Sequence, residues 1–384
     1  MSTVEEILIS LIRRAIGTAD TVDIPSDFDG WEELKELSFR QGVAYVAADG
    51  LVKVIEDDPS LTGGNGRRVI LPWIANAERS EVEYARHRQV LPEMCRVLHD
   101  NGIEKILLLK GLGLSAYYPV PEHRPTGDLD IYTYGQGARV DEVFRSLGID
   151  VDSKKSSKHS KCTFEGIPVE NHNHYLENFR SGIESEINGF LPGLEGDILK
   201  EGGYYVPSPE KNFWFLACHM QSHFLSLESF TLRHLLDWAL FLKGESARLD
   251  TLQLMEKARS FNLETFISYM TALAERVSGL DLRAFVTTET DPGTENRMMA
   301  EILREKKAEK VDASRRPLLL AGKVFIHISL NWKYRYTGLS FREFLRERTV
   351  VHLRQWFGKS QEIQHTPSDY FKAGPASLDS ASRK

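Results

Sequence analysis

Apolar residues recur at Ile7, Leu8, Leu11, Ile12 and Ile16, the i, i+3, i+4 spacing that lines one face of a helix over residues 4–16. A polar, turn-rich stretch from Gly17 to Gly30 follows. Helical spacing returns over Trp31 to Glu56, with Leu34, Leu37, Val43, Val46 and Ala47 available to a core. After a break at Pro59 to Gly66, a long helix is predicted from Val69 to His99. Its inward side is read as Ile74, Ala77, Val82, Ala85, Val90, Met94 and Val97. Asn101-Gly102 stops it, because both residues tolerate left-handed backbone. Residues 1–102 thus read as an N-terminal helical region.

The pattern then shortens. Ile103 to Leu109 is an apolar run too brief for a helix and is read as a buried strand. Lys110 to Gly113 reads as a turn, and Leu114 to Tyr118 as a helix stopped by Pro119 and Pro121. Arg124 to Gly127 leads into a strand over Asp128 to Thr133. A helix over Ala138 to Leu147 turns Val140, Val143, Phe144 and Leu147 inward, with Gly148 as its stop. Beyond a Ser- and Lys-rich loop, Lys161 to Phe164, the turn Glu165-Gly166 and Ile167 to Tyr175 read as a hairpin. From Pro207 helical periodicity resumes over Pro209 to Leu225, Phe230 to Leu242, Asp250 to Phe261 and Leu263 to Val277. Thr287 to Asn296 is polar and turn-rich, Arg297 to Lys310 a charged, solvent-facing helix, and Leu318 to Ile328 and Phe341 to Phe357 the last helices. The expected class is α+β: a small mixed-sheet core over 103–206, flanked by helical regions at 1–102 and 207–358, with a polar, mobile tail at 359–384.

Composition narrows the function without naming it. A hydrophobic content of 41% with 27% charged residues belongs to ordinary globular proteins rather than disordered ones. The net charge of -7 argues against a large nucleic-acid partner and leaves small anionic substrates open. Cys95, Cys162 and Cys218 are too far apart for a thiolate zinc site or a disulfide framework, so a reducing cytoplasm is expected. Glu5 and Glu6 precede the first apolar positions, unlike a secretory signal, and no apolar run reaches membrane-spanning length.

The candidate chemistry lies between Lys110 and His174. On a strand, Asp128 and Asp130 project from one face about 6 to 7 Å apart, close enough to share metal ions; a solvated strand face carries such a pair equally well. Upstream, Lys110-Gly111 closes a strand and opens a helix, where an ammonium and backbone N–H groups can hold phosphates. Downstream, Glu170, His172 and His174 alternate with Val169 and Asn171, so one face can complete a metal site. Arg124 is a candidate phosphate clamp. Lys154, Lys155, Lys158, His159 and Lys161 form a basic stretch able to steer an anion, with His159 and His172 as further nucleotide-binding candidates.

Taken together, the LLLKG turn, the Arg before GDLDIY and the later VENHNHY strand resemble the nucleotidyltransferase superfamily of the DNA polymerase β type. They look closer still to the bacterial group labelled uncharacterised nucleotidyltransferases. The likeness is specific over Ile106 to Tyr175. It implies a nucleotidyltransferase core in which Asp128 and Asp130 hold two Mg2+ ions, or Mn2+, with Glu170 as the third carboxylate. It also implies that Lys110 and Gly111 contact the phosphates of an NTP. Two features depart from the wider superfamily: the turn is Lys-Gly-Leu-Gly rather than Gly-Ser or Gly-Gly, and Glu170 stands where Asp is commoner.

The expected activity is Mg-dependent transfer of a nucleoside monophosphate from an NTP to a hydroxyl or amine of a small-molecule or protein acceptor. Two other readings use the same residues. One is a catalytically silent nucleotide- or partner-binding module, with Trp332 to Tyr336 as an interaction patch. The other is a metal-dependent hydrolase using Glu170, His172 and His174. His219, His223, Arg233, His234 and Asp237 fall at helical spacings that put some on a common face, and the resemblance places such polar residues on the far wall of the site. Zinc at His219 and His223 lacks a neighbouring Glu or Cys ligand, so core or cleft histidines are the preferred reading.

Overall fold

The computed structural model describes residues 1–62, 66–153, 159–176, 196–225 and 230–304, together with 187, 189–191 and 342. Lys154, Lys155 and Lys158, the helices expected beyond residue 318, Trp332 to Tyr336 and the tail lie outside them. The class is α+β, as the periodicity predicts, with a mixed six-stranded sheet among the described residues.

Four helices come first: α1 (Thr3–Ile16), α2 (Trp31–Arg40), α3 (Ala44–Asp57) and α4 (Arg67–Asp100). Ser2 caps α1 through a reciprocal hydrogen-bond pair with Glu5, satisfying two otherwise orphaned N–H groups. The single helix expected over Trp31 to Glu56 is instead two, because Gly42 takes a positive φ of 67° and turns the chain. α3 crosses α1 so closely that a Cβ added at Gly50 would stand 2.1 Å from the Leu11 carbonyl oxygen.

The inward face of α4 also differs from expectation. Ala77, Val90 and Met94 are buried as expected, but Val82 and Ala85 are exposed, and the buried stripe is Ile70, Trp73, Ala77, Ser80, Tyr84, His87, Val90, Leu91, Met94, Cys95 and Leu98. Polar residues belong to it because the neighbouring loop needs partners: Ser80 Oγ donates to the Glu122 carbonyl at 2.7 Å, and His87 Nε2 lies 2.6 Å from the Gly127 carbonyl. The helix thereby anchors the segment that delivers Asp128.

The sheet consists of β1 (Leu107–Leu109), β2 (Leu129–Tyr132), β3 (His159–Phe164), β4 (Ile167–His172), β5 (Ile198–Leu199) and β6 (Tyr205–Val206), in the order β3-β4-β2-β1-β6-β5. β2 lies antiparallel to β1 and parallel to β4; β3 and β4 form an antiparallel hairpin about Glu165-Gly166, both at positive φ. α5 (Gly111–Ser115) starts immediately after Lys110 rather than at Leu114. α6 (Gly137–Ser146) buries Val140, Val143 and Phe144, but Leu147 falls past its end and is exposed.

The C-terminal helices are α7 (Pro209–Leu225), α8 (Leu232–Glu245), α9 (Thr251–Ser260), α10 (Glu264–Ser278) and α11 (Pro292–Leu303). α11 begins earlier than the expected charged helix, because Asp291 caps it and Pro292 suits its first turn. It is not wholly solvent-facing: Met298, Met299, Ile302 and Leu303 are buried.

Two apolar clusters meet at the sheet. Leu108, Leu129 and Ile131 pack with α6 and the C-terminal half of α4, whereas Leu107 and Leu109 pack with α1, α3, α7, α8 and α10. Because strand side chains alternate, Asp130 lies on the face toward the C-terminal helices.

Candidate active site

Register brings the acidic residues together. Asp130 is opposite both Leu109 of β1 and Glu170 of β4, and β3 adds Lys161 opposite Glu170 and His159 opposite His172. Lys110 Nζ, just beyond β1, is 3.0 Å from Asp130 Oδ1. His172 Nε2 is 2.9 Å from the same oxygen and 3.9 Å from Glu170 Oε2. Glu170 Oε1 in turn accepts from Lys161 Nζ at 2.6 Å, with His159 Nε2 at 3.7 Å. Asp128, half-buried one residue before β2, shares a hydrogen bond with Glu170. His174 lies past the end of β4 and is exposed, so it does not join Glu170 and His172.

The three carboxyls are electrostatically unequal. Burial, with the neighbouring charges of Glu170 and Asp130, pushes Asp128 up to about 6. Burial also opposes the charge on Asp130, but Lys110 and His172 outweigh it and hold that carboxyl well below the usual range. At Glu170, burial and Asp130 are outweighed by His159, Lys161 and Lys110, so its carboxyl is lowered as well.

This donor set fits a divalent cation. Asp130, Glu170 and His172 offer ligand atoms within 4.8 Å of one another. Carboxylate oxygens suit Mg2+, and an imidazole nitrogen extends the set to Mn2+. Asp128 and Glu170 can hydrogen-bond each other only by sharing a proton, which a cation between them would replace.

Lys110 takes φ 53°, ψ -146°, a sparsely populated conformation for a residue with a side chain. A buried ion pair holds the turn from behind. Arg124 Nη1 donates to the Gly111 carbonyl at 3.2 Å, while Nε and Nη2 bind the two oxygens of Asp237 on α8 at 2.7 and 2.9 Å. Tyr118 also donates to Asp237, at 2.7 Å. Arg124 therefore points its guanidinium at Asp237 and the turn.

On the opposite face of β4, Asn171 donates to the Gly137 carbonyl at 2.9 Å and to Asp141 Oδ1 at 2.8 Å, locking α6 to the strand. Across the site, α7 and α8 bring His219, His223 and His234 together, with ring centroids 4.4, 5.0 and 5.9 Å apart. Burial, then the charge of Lys110, holds His219 far below the usual histidine range; burial, then His223, does the same to His234. His219 thus lies within electrostatic reach of Lys110 and His172. Spacing grouped these histidines as polar positions of the far wall but missed His234 as a third member beside His219 and His223, since it comes from the next helix, eleven residues past His223.

With this geometry in view, the comparison with known families is decisive at the level of class. The family described as "Uncharacterised nucleotidyltransferase" matches residues 28–279, well beyond the segment Ile106 to Tyr175. The chain belongs to that family. No curated protein and no solved structure matches it.

Proposed function

We propose that the chain transfers a nucleoside monophosphate from an NTP to the hydroxyl or amine of a small-molecule or protein acceptor. The observation that carries this reading is the convergence of Lys110, Asp128, Asp130, Glu170 and His172 through the β1–β2–β4 register. The resemblance to the polymerase β-type superfamily and the family match support it. Asp128, Asp130 and Glu170 would hold Mg2+, with two ions as in that superfamily, and Mn2+ as a substitute. When bound, the metal neutralises phosphate charge and lowers the barrier to attack on the α-phosphate.

The chain's own residues position and polarise. Lys110 balances Asp130 at rest and supplies an ammonium to the phosphates. Lys161 and His159 hold Glu170 ionised and present positive charge along the same sheet face. His172 orients Asp130. Asp130 or Glu170 would be nearest the proton that leaves the acceptor nucleophile. Gly111 and Arg124 act through the shape of the turn. With three free cysteines and no described helix long and apolar enough to cross a membrane, the proposed setting is the cytoplasm.

Incubating the full chain with Mg2+, labelled NTPs and cell extract tests the proposal: labelled acceptor and pyrophosphate are expected, and both should vanish in Asp128→Asn. Mg-dependent NTP binding without pyrophosphate release would instead favour the silent nucleotide-binding module.

A further inference from the structure

His219, His223 and His234 form a cluster to which the proposed transfer assigns no role. We propose that these three imidazoles are a second metal site, taking one zinc-class transition-metal ion through three nitrogens and leaving a fourth coordination position open. The site stands whether or not the chain transfers nucleotides.

Placement comes first. His219 and His223 are one turn apart on α7 and face the same way, and His234 enters from the first turn of α8. Each offers a ligand atom within 4.8 Å of the others. Tetrahedral coordination at about 2.0–2.1 Å per nitrogen sets neighbouring nitrogens about 3.4 Å apart. Closing that gap takes side-chain shifts on the order of 1 Å, within the reach of small χ rotations.

The rings are also oriented from outside the cluster. His219 stacks on Phe215 with 8° between planes, and His234 on Phe230 with 20°. The Thr231 backbone N–H donates to His234 Nδ1 at 3.1 Å, capping α8, and Thr231 Oγ1 lies 3.1 Å from the same nitrogen. Ligation through Nε2 would move the ring proton to Nδ1, which then donates to the Thr231 hydroxyl in place of accepting the Thr231 N–H, giving the outer partner that orients metal-binding histidines. Packing fixes the ring plane, and ligation exchanges one cap hydrogen bond for another.

Donor chemistry separates this site from the carboxylates. All-nitrogen imidazole sets suit Zn2+ and neighbouring transition metals, whereas carboxylate oxygens suit Mg2+ and Mn2+. Three protein ligands with one open position is the arrangement of reactive rather than purely structural zinc. His219 and His223 are half-buried rather than sealed, so an ion and one further donor can reach them.

The test uses the full chain, stripped with chelator, reloaded with Zn2+ alone and desalted. One retained equivalent is expected by metal analysis, and X-ray absorption should show three imidazole nitrogens around it. His219→Gln and His223→Gln, each checked by thermal melting for an intact fold, should weaken Zn2+ more than about 100-fold, since loss of even an outer partner costs 10–100-fold. Asp130→Asn should keep the full equivalent. Absence of a retained ion in the wild-type chain overturns the site. So does an oxygen-rich coordination shell, which needs no variant to read, or loss of the ion in Asp130→Asn, which would place it on Asp130, Glu170 and His172.

Discussion

The sheet wall of carboxylates and the helical wall of histidines are built by different physics. On the sheet side, Asp130 and Glu170 face each other because backbone hydrogen bonds between β2 and β4 pair those two residues, and Lys110 follows from the next ladder. On the helical side, His219 and His223 share a face of α7 and meet His234 of α8, where Phe224 of α7 packs edge-on against Phe230 just before α8. A ladder holds the remaining residues in place when one side chain changes. Helix packing transmits changes made at a distance. The sheet wall should therefore answer to local substitution with lost chemistry, and the helical wall with lost geometry.

The sharpest test cuts the tie between them. Arg124→Met leaves Asp237 of α8 buried without its bidentate partner, with the Tyr118 hydroxyl and the charge of Arg233 remaining, at an expected cost of about 3–5 kcal/mol, read as a lower denaturant midpoint. The double variant Arg124→Met, Asp237→Leu should recover most of that stability. It should not recover pyrophosphate release, since the Gly111 carbonyl still lacks its donor. If the double variant regains both, the pair serves stability alone.

Next comes the sheet wall by itself. Asp130→Asn keeps the shape of the side chain and its strand position but removes the charge facing Lys110 and His172. Turnover should fall by roughly 10²–10³-fold, the scale of losing one pre-organised electrostatic group, while the melting temperature stays close to that of the parent. A large drop in melting temperature would mean that Asp130 is a packing residue after all.

The helical wall calls for the opposite pattern. Gln41 accepts from the Leu232 N–H at 2.9 Å and donates to the Ile302 carbonyl at 3.1 Å, joining α2, α8 and α11. Gln41→Leu strands both groups, and each buried unpaired group costs about 1–3 kcal/mol. Unfolding by urea should show that loss, and Zn2+ retention should weaken with it because Leu232 begins the helix that carries His234. Mg-dependent NTP binding, measured by calorimetry at a temperature where the variant is folded, should hold.

The same division explains what the sequence reveals. Period-two alternation and the order LLLKG, GDLDIY, VENHNHY made Asp128, Asp130 and Glu170 readable, because strands of a few residues leave little choice of face. Lys161 was visible only as part of a basic run, since its place opposite Glu170 depends on the hairpin register. The three histidines were readable as polar positions but not as one cluster: i, i+4 spacing gives two members, and the third is supplied by an interhelical crossing no local pattern encodes. The inward face of α4 was misjudged for a related reason. Ser80 and His87 point inward to serve the Glu122 and Gly127 carbonyls, a demand set by a loop forty residues away.

The smallest effect concerns the support beneath the sheet wall. His123, in a 3₁₀ turn before β2, lies 2.7 Å from Asp49 on α3 and 3.2 Å from Glu81 on α4. Burial disfavours its charge, but Asp49 and then Glu81 outweigh it and raise its pKa above the ordinary value. The folded protein holds this proton more tightly than the unfolded chain. The contribution to stability is therefore complete below the unfolded value of about 6.5 and disappears as pH rises through the folded one. Its size should be at most about 1 kcal/mol, as for partly exposed ion pairs. Comparing His123→Gln with the parent isolates it from every other titrating group. The stability gap between the two should be wider at pH 5.5 than at pH 8.5, and a gap that is constant or that widens toward high pH would show that His123 contributes by packing rather than by charge.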